Sequence, residues 1–200
     1  MSDVLRCGVS LSMCLAITAC AQVGETVLVD TRPYSSIFGD NVMLFDPGMD
    51  MRRVQATLDA LHAQQANDEF SRNRYALLFK PGEYDLRISV DYYVQAAGLG
   101  LVPGDVRING TVQSNASTTE NRVTVMFWRS AENFLVHPTD TASPVYWAVS
   151  QAAPYRRMHI KGDLQFDLGG WASGGLLANS IVEGNAGLTS GQQWFTRNSE

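Results

Sequence analysis

Arg74–Asp85 reads Arg-Tyr-Ala-Leu-Leu-Phe-Lys-Pro-Gly-Glu-Tyr-Asp and directly follows a stretch with helical periodicity. Its short apolar run, Tyr75–Phe79, predicts a buried strand that runs into Pro81-Gly82. After Tyr75 the sequence consists of short β-rich runs punctuated by Gly, Asn and Pro. The stretch therefore marks the point at which a helical pattern changes into a β pattern.

The segment before it predicts one amphipathic helix. Asp50 is placed to accept hydrogen bonds from the exposed N–H groups of a helix N-terminus. Val54, Leu58 and Leu61 follow at positions i, i+4 and i+7, which gives one apolar stripe on a helix of about four turns ending near Asn67. We interpret this stripe as a packing face.

The β-rich part contains a repeated pattern of polar and apolar residues. Aligned polar positions fall 24, 22 and 19 residues apart, which is about the length of one turn of a parallel β-helix. Polar residues at one corner of successive turns can stack and satisfy backbone groups. The aligned positions are Asn133, Arg157, Asn179 and Asn198.

Several segments resemble a group of secreted bacterial pectin-lyase-like proteins, to which names such as coagulation factor 5/8 type domain protein or adenylyl cyclase are often attached. The resemblance covers about residues 41–200. It implies an all-β fold, a right-handed parallel β-helix with an N-terminal capping α-helix. The matching segments are Tyr75–Tyr84, Gln95–Leu99, Phe127–Asn133, Trp147–Pro154, Gly169–Gly175 and Gln193–Ser199.

Two further expectations concern the architecture. A compact β-sandwich is the alternative to the β-helix. In the β-helix register the sequence stops in the middle of a coil at Glu200. Natural solenoids cover such an end, because it leaves unpaired strand edges, so we expect residues 41–200 to be the cap helix and first coils of a truncated β-helix domain.

The first twenty residues have the pattern of a targeting segment. Val9–Ala19 is far shorter than the roughly 20 apolar residues that span a membrane. Its last residues, together with Cys20, form the segment Leu15–Cys20, which resembles a bacterial lipobox. In a lipobox the cysteine thiol receives the lipid. We predict a lipoprotein-type signal peptide at 1–20, lipidation at Cys20 and a linker at 21–40. A cleaved signal peptide with secretion, or no export, are the alternatives to an envelope or outer-membrane lipoprotein.

The charge and cysteine content of the sequence limit the classes of molecule that the protein is expected to bind. The formal net charge is −5 and the isoelectric point is near 5.2, which argues against nucleic acid as a partner. All three cysteines lie within the first twenty residues, so no disulfide framework and no cysteine metal site is expected. We predict no cofactor. The expected partners are a polysaccharide or other glycan and, through Cys20, a membrane.

Acidic residues supply the candidate catalytic groups. Asp163 and Asp167 share one parity of a predicted strand, opposite to the apolar residues between them, and would lie on its exterior. On one straight strand they would be about 13 Å apart, too far for a glycosidase pair, so a bend or a partner such as Glu132 or Glu183 is required. A solvated acidic strand face is the simplest interpretation, and a Ca²⁺ site is a further alternative.

Three other side chains are candidate substrate contacts. Trp171 follows on a Gly-rich bend, where its indole could stack on a sugar ring. His159 and Arg157 are expected to face outward, and a lyase could use such groups to abstract a proton and neutralise a uronate carboxylate. A purely structural histidine is the alternative.

The sequence therefore predicts an exported carbohydrate-active protein. The leading hypothesis is a glycan hydrolase or lyase whose catalytic residues are incomplete in this chain. A non-catalytic glycan- or envelope-binding module, or a gene fragment, is the competing hypothesis. No complete catalytic signature is present to decide between them.

Overall fold

The computed structural model describes residues 37–114, 122–167, 172–187 and 192–200. The α-helix α1 (Met51–Gln65) and two short 3₁₀ helices, Pro103–Asp105 and Arg122–Val125, accompany the strands, and residues 37–38 are also helical. The strands are β1 (Val42–Phe45), β2 (Tyr75–Phe79), β3 (Gly82–Tyr84), β4 (Arg87–Ser89), β5 (Val94–Gly98), β6 (Val106–Asn109), β7 (Thr111–Gln113), β8 (Ser130–His137), β9 (Val145–Tyr146), β10 (Pro154–Ile160), β11 (Leu164–Gln165), β12 (Leu176–Ala178), β13 (Ile181–Val182), β14 (Ala186–Gly187) and β15 (Phe195–Arg197).

The strands stack in parallel from coil to coil. The main ladder has the order β1-β2-β5-β8-β10-β12-β15, while β4 pairs with β7 and β9, β11 and β14 form a smaller sheet. Every one of these pairings between described strands is parallel. Strands of a β-sandwich pair antiparallel, so that alternative is wrong, and the expected all-β class with parallel sheets is confirmed.

The register confirms the coil length read from the sequence. The partners Ala131 and Tyr155 are 24 residues apart, Pro154 and Leu176 are 22 apart, and Leu176 and Phe195 are 19 apart. These three coils thus return to the main ladder after 19 to 24 residues, whereas the coils between Val42 and Ala76 and between Gln95 and Ser130 are longer, at 34 and 35 residues. The right-handed sense of the winding, the capping role of the helix and the truncated end stay predictions.

The core fills the inside of the coils with stacked aromatic rings. Phe45 and Phe79 stack at 4.8 Å between centroids, and the edge of Phe134 meets Phe79 at 5.6 Å. One coil further on, Trp147 stacks on Tyr155 at 4.4 Å. Because each coil alone cannot bury its inner face, these contacts between coils are what stabilises the solenoid.

Helix α1 packs its apolar stripe on this core. Val54, Leu58 and Leu61 are buried in the same hydrophobic cluster as the interior of the coils. The side chain of Asp50 accepts a hydrogen bond from the N–H of Arg52, so the predicted N-cap is confirmed. Among the described residues, no helix has the length and apolar character needed to cross a bilayer.

Candidate functional site

In each of four consecutive coils one bend is formed by a polar residue in a left-handed conformation; we call this column the polar corner. Its φ angles lie between 49° and 64°, a region that non-glycine residues seldom occupy and that asparagine tolerates best. The parallel register places its members in consecutive coils, as the sequence repeat predicted. They are Asn133, Arg157, Asn179 and Asn198.

Asn133 ties this corner to the coil before it. Its side-chain Nδ2 donates hydrogen bonds to the carbonyl oxygens of Gly98 at 2.9 Å and Gly100 at 2.7 Å, and the residue is buried. The backbones meet closely here, since a Cβ added at Gly98 would lie 2.1 Å from the carbonyl oxygen of Asn133. The polar corner is therefore a structural seam between coils.

Arg157, a predicted substrate contact, forms hydrogen bonds within the same seam. Its Nη2 donates to the carbonyl oxygen of Leu101 at 2.7 Å and to Oδ1 of Asn133 at 3.2 Å. Its outward position is confirmed. With its hydrogen bonds directed to the protein, the guanidinium fixes a loop, and its role towards substrate stays a prediction.

Glu132, a candidate catalytic carboxylate, is paired with the next coil. Its Oε2 accepts a hydrogen bond from Nε of Arg156 at 2.9 Å, and Nη2 of the same guanidinium also contacts it. The two residues are register partners on β8 and β10. The charge of this carboxylate is thus neutralised on the outer face of the main ladder.

Glu183, the second candidate partner, is hydrogen-bonded to His159 and Lys161. Its Oε1 lies 2.7 Å from Nε2 of His159 and 2.9 Å from Nζ of Lys161. The hydrogen bond from Lys161, followed by that from His159, lowers the pKa of Glu183. A carboxyl group with a lowered pKa is a poor proton donor near neutral pH, and His159 is hydrogen-bonded to this carboxylate.

Asp163 and Asp167, which were predicted to share one exposed face of a strand, differ in their exposure. Asp163 is exposed, and its Oδ1 accepts a hydrogen bond from the backbone N–H of Asn185 at 2.8 Å. Asp167 is only 1% exposed, so its predicted exterior position is wrong. Strand β11 ends at Gln165, and the strict alternation assumed by the prediction ends with it. Inward-facing Leu164 and Phe166 are confirmed.

Two predicted functional residues, Cys20 and Trp171, lie outside the described residues. In the ranges that the structure describes, the His, Cys, Asp and Glu side chains form no group of three that could hold a metal ion.

A second column of left-handed residues went unrecognised in the sequence. It stands just before the strands of the main ladder, and we call it the entry corner. The register aligns one member in each of five consecutive coils, with φ between 51° and 86°. Its members are Tyr93, Trp128, Ala152, Gly174 and Gln193. They share neither size nor polarity, so no residue-type repeat marks them.

The first two residues of the entry corner form an aromatic stack. The rings of Tyr93 and Trp128 are nearly parallel, with an interplanar angle of 8° and centroids 5.4 Å apart. The guanidinium carbon of Arg74, one coil earlier in the register, lies 3.6 Å from the centroid of the Tyr93 ring. Trp128 is 44% exposed. An exposed indole is a surface on which a sugar ring can stack.

A groove of about 540 Å³ opens beside this stack. It crosses the starts of five strands of the main ladder, from β1 to β10. At about 4.8 Å per strand it is about 19 Å long. Polar side chains on its floor include Asn41, Gln95 and Ser130.

Comparison with known proteins points to enzymes of β-glucans. An exo-β-1,3-glucanase of Streptomyces sp. (strain SirexAA-E / ActE) is 45% identical over 164 residues, 80% of this chain. A solved structure of a variant of sacteLam55A from Streptomyces sp. SirexAA-E, in complex with glucose, superposes with a TM-score of 0.74 at 44% identity, covering 79% of this chain and 28% of that one. A second sacteLam55A structure gives a TM-score of 0.74 at 42% identity over 80% and 30%.

The comparison corrects the resemblance stated from the sequence. The similarity is to an exo-β-1,3-glucanase, so the assignment to the group labelled coagulation factor 5/8 type domain protein or adenylyl cyclase is wrong, although the coiled β fold is related. No family model matches the sequence. The chain spans about a quarter of the glucanase it matches.

Proposed function

We propose that the protein acts on β-1,3-glucan as part of a glycoside hydrolase. The observation that carries the proposal is the 45% identity to an exo-β-1,3-glucanase over 80% of the chain. The fold agrees with that of sacteLam55A, which has been solved with glucose bound. A hydrolase is favoured over a lyase, because the matched relative is an exo-β-1,3-glucanase.

Hydrolysis of a glycosidic bond needs a protonated carboxylic acid and a second carboxylate. In the described residues Glu132 and Glu183 are ion-paired, and Asp167 is buried. We place at least one member of the catalytic pair outside the described residues. The coils described here contribute glycan binding and the rigid face that positions it.

A non-catalytic β-1,3-glucan-binding module is the second candidate. It is supported by the same pairing of Glu132 and Glu183, together with the exposed aromatic stack at the entry corner. The two proposals share a ligand and differ only in whether a glycosidic bond is cleaved.

Export with a lipid anchor at Cys20 is proposed from the lipobox-like sequence alone. Growing the expressing bacterium with a labelled fatty acid tests it. Label should be incorporated into the protein and be absent from the Cys20→Ser variant. Equal labelling of both proteins, or of neither, contradicts anchoring at this residue.

Two assays of the 200-residue protein test the activity. The first measures the glucose released from soluble β-1,3-glucan, and the second measures retention of the protein on insoluble β-1,3-glucan. A β-1,4-glucan serves as the control polysaccharide. Glucose release supports the hydrolase, and retention without release shows that these 200 residues bind the glucan without cleaving it. Neither release nor retention, or equal retention on the β-1,4-glucan, overturns the assignment to β-1,3-glucan.

A further inference from the structure

The entry corner changes abruptly from large to small side chains. Arg74, Tyr93 and Trp128 stack over one another in three successive coils. The register places Ala152 in the next coil and Gly174 in the one after it. The column of planar groups therefore ends at Trp128, and the next two positions of the entry corner carry small residues.

The space above Ala152 belongs to the groove of about 540 Å³, which both Trp128 and Ala152 line. Trp128 is 44% exposed; Tyr93 stacks on its indole, and the Phe127 ring contacts the indole at a tilt of 51°, with centroids 5.2 Å apart. A ligand with a flat apolar face would continue the stack in this space. The face of a pyranose ring, with its axial C–H groups, is such a surface.

Two neutral polar side chains of the groove can bind the hydroxyl groups of a ligand. Gln95 and Ser130 lie on the floor of the groove, and within the described part of the chain no hydrogen bond engages their side chains, so both can bind hydroxyl groups. Two guanidinium groups also line the groove: Arg74 is exposed and lies over the Tyr93 ring, whereas Arg129 is only 2% exposed.

We propose that the entry-corner groove is a binding subsite for a glucan chain, in which one glucose ring stacks on Trp128 above Ala152. Hydroxyl groups of that ring and its neighbours bind Gln95 and Ser130. The length of the groove, about 19 Å, leaves room for several sugar residues along the solenoid. The identity of the glucan as β-1,3-linked rests on the proposed function.

Calorimetric titration of the 200-residue protein with a soluble β-1,3-linked gluco-oligosaccharide tests the subsite. Trp128→Ala removes the platform and should weaken binding on the order of tenfold. Ala152→Phe fills the proposed ring position while leaving Trp128 in place, and should weaken binding at least as much. The backbone tolerates an aromatic residue in this column, since Tyr93 and Trp128 occupy it at φ of 60° and 51°.

Phe70→Ala is the matched control, because Phe70 is an exposed aromatic residue that does not line the groove. It should bind as the wild type does. Far-ultraviolet circular dichroism and the melting temperature of each variant establish that it is folded. A folded Ala152→Phe variant keeps the test decisive if Trp128→Ala does not fold.

The outcomes separate this subsite from the proposed function. Binding that survives both Trp128→Ala and Ala152→Phe overturns the subsite and leaves the β-1,3-glucan assignment intact. Trp128-dependent binding of a β-1,4-linked oligosaccharide, without binding of the β-1,3-linked one, keeps the subsite and overturns the substrate. Absence of binding to either oligosaccharide overturns the subsite, while glucose release decides the function separately.

Discussion

The polar corner and the entry corner use the same backbone conformation for opposite purposes. At the polar corner the side chains turn back onto the coils, as when Asn133 binds the carbonyls of Gly98 and Gly100. At the entry corner Tyr93 and Trp128 stack outward along a groove, and Trp128 remains exposed. One corner holds neighbouring coils together, and the other presents a surface.

A left-handed bend is unfavourable for a non-glycine residue, and the two corners compensate for this through different contacts. A non-glycine residue in this region loses about 1–2 kcal/mol. At the polar corner asparagine recovers this cost through hydrogen bonds. At the entry corner the compensation comes from ring stacking for Tyr93 and Trp128, and Ala152 has neither. Substitutions at equivalent positions can therefore separate the two corners.

The largest effect is expected for Asn133→Ala. It leaves two carbonyls without their donor in a buried seam and keeps the left-handed bend, so the free energy of unfolding should fall by about 3 kcal/mol. Chemical denaturation measures it. Asn198→Ala, at the exposed end of the same corner, is the control and should lose less than about 1 kcal/mol. Equal losses would show that the seam is not held by Asn133.

Tyr93→Ala should lower the free energy of unfolding by about 2 kcal/mol. It removes the ring that stacks on Trp128, and it removes a hydroxyl that donates a hydrogen bond to the carbonyl oxygen of Glu69 at 2.6 Å. Tyr93→Phe keeps the stack and removes only the hydroxyl, so about half of the loss should remain. If Tyr93→Phe is as unstable as Tyr93→Ala in the same denaturation experiment, stacking does not stabilise the entry corner.

Ala152→Gly should raise the stability by about 0.5 kcal/mol. Glycine avoids the strain of the left-handed bend, at φ of 56°, and this gain slightly exceeds its greater entropy in the unfolded chain. Asn179→Gly at the polar corner is the matched control. It should show no gain, since it also removes the acceptor for Nδ2 of Asn198. A destabilised Ala152→Gly variant would mean that the alanine methyl group makes a necessary contact.

The smallest effect concerns pH. Nδ1 of His62 lies 2.8 Å from Oδ2 of Asp91, two residues before the entry corner, and this hydrogen bond raises the pKa of His62. The stabilisation is fully present below the unfolded pKa of about 6.5 and is lost as the pH rises through the raised folded pKa.

Because His62 is about half exposed, the loss should be a few tenths of a kcal/mol. Melting temperatures of wild type and His62→Ala across this pH range measure it. The difference between the two proteins should shrink as the pH rises, and a constant difference would show that the pair does not titrate there.

Sequence patterns anticipated the helix, its cap and the polar corner, because each depends on residue type at a fixed spacing. The buried stripe of Val54, Leu58 and Leu61 follows helical periodicity, and asparagine is itself the residue that a left-handed bend favours. Asp167 was misplaced, since alternation holds only within a strand and β11 ends at Gln165. The ion pairs of Glu132 and Glu183 join different coils and depend on the register between them.

The sequence alone determined a parallel β fold of about twenty-residue coils, preceded by one amphipathic helix, because local periodicity and turn chemistry encode both. Only the tertiary structure revealed the entry corner. Tyr93, Trp128 and Ala152 are far apart in the chain and differ in type, and they become one column because parallel pairing brings equivalent positions to about 4.8 Å. A groove that arises from register, with no shared residue type, leaves no pattern in the sequence.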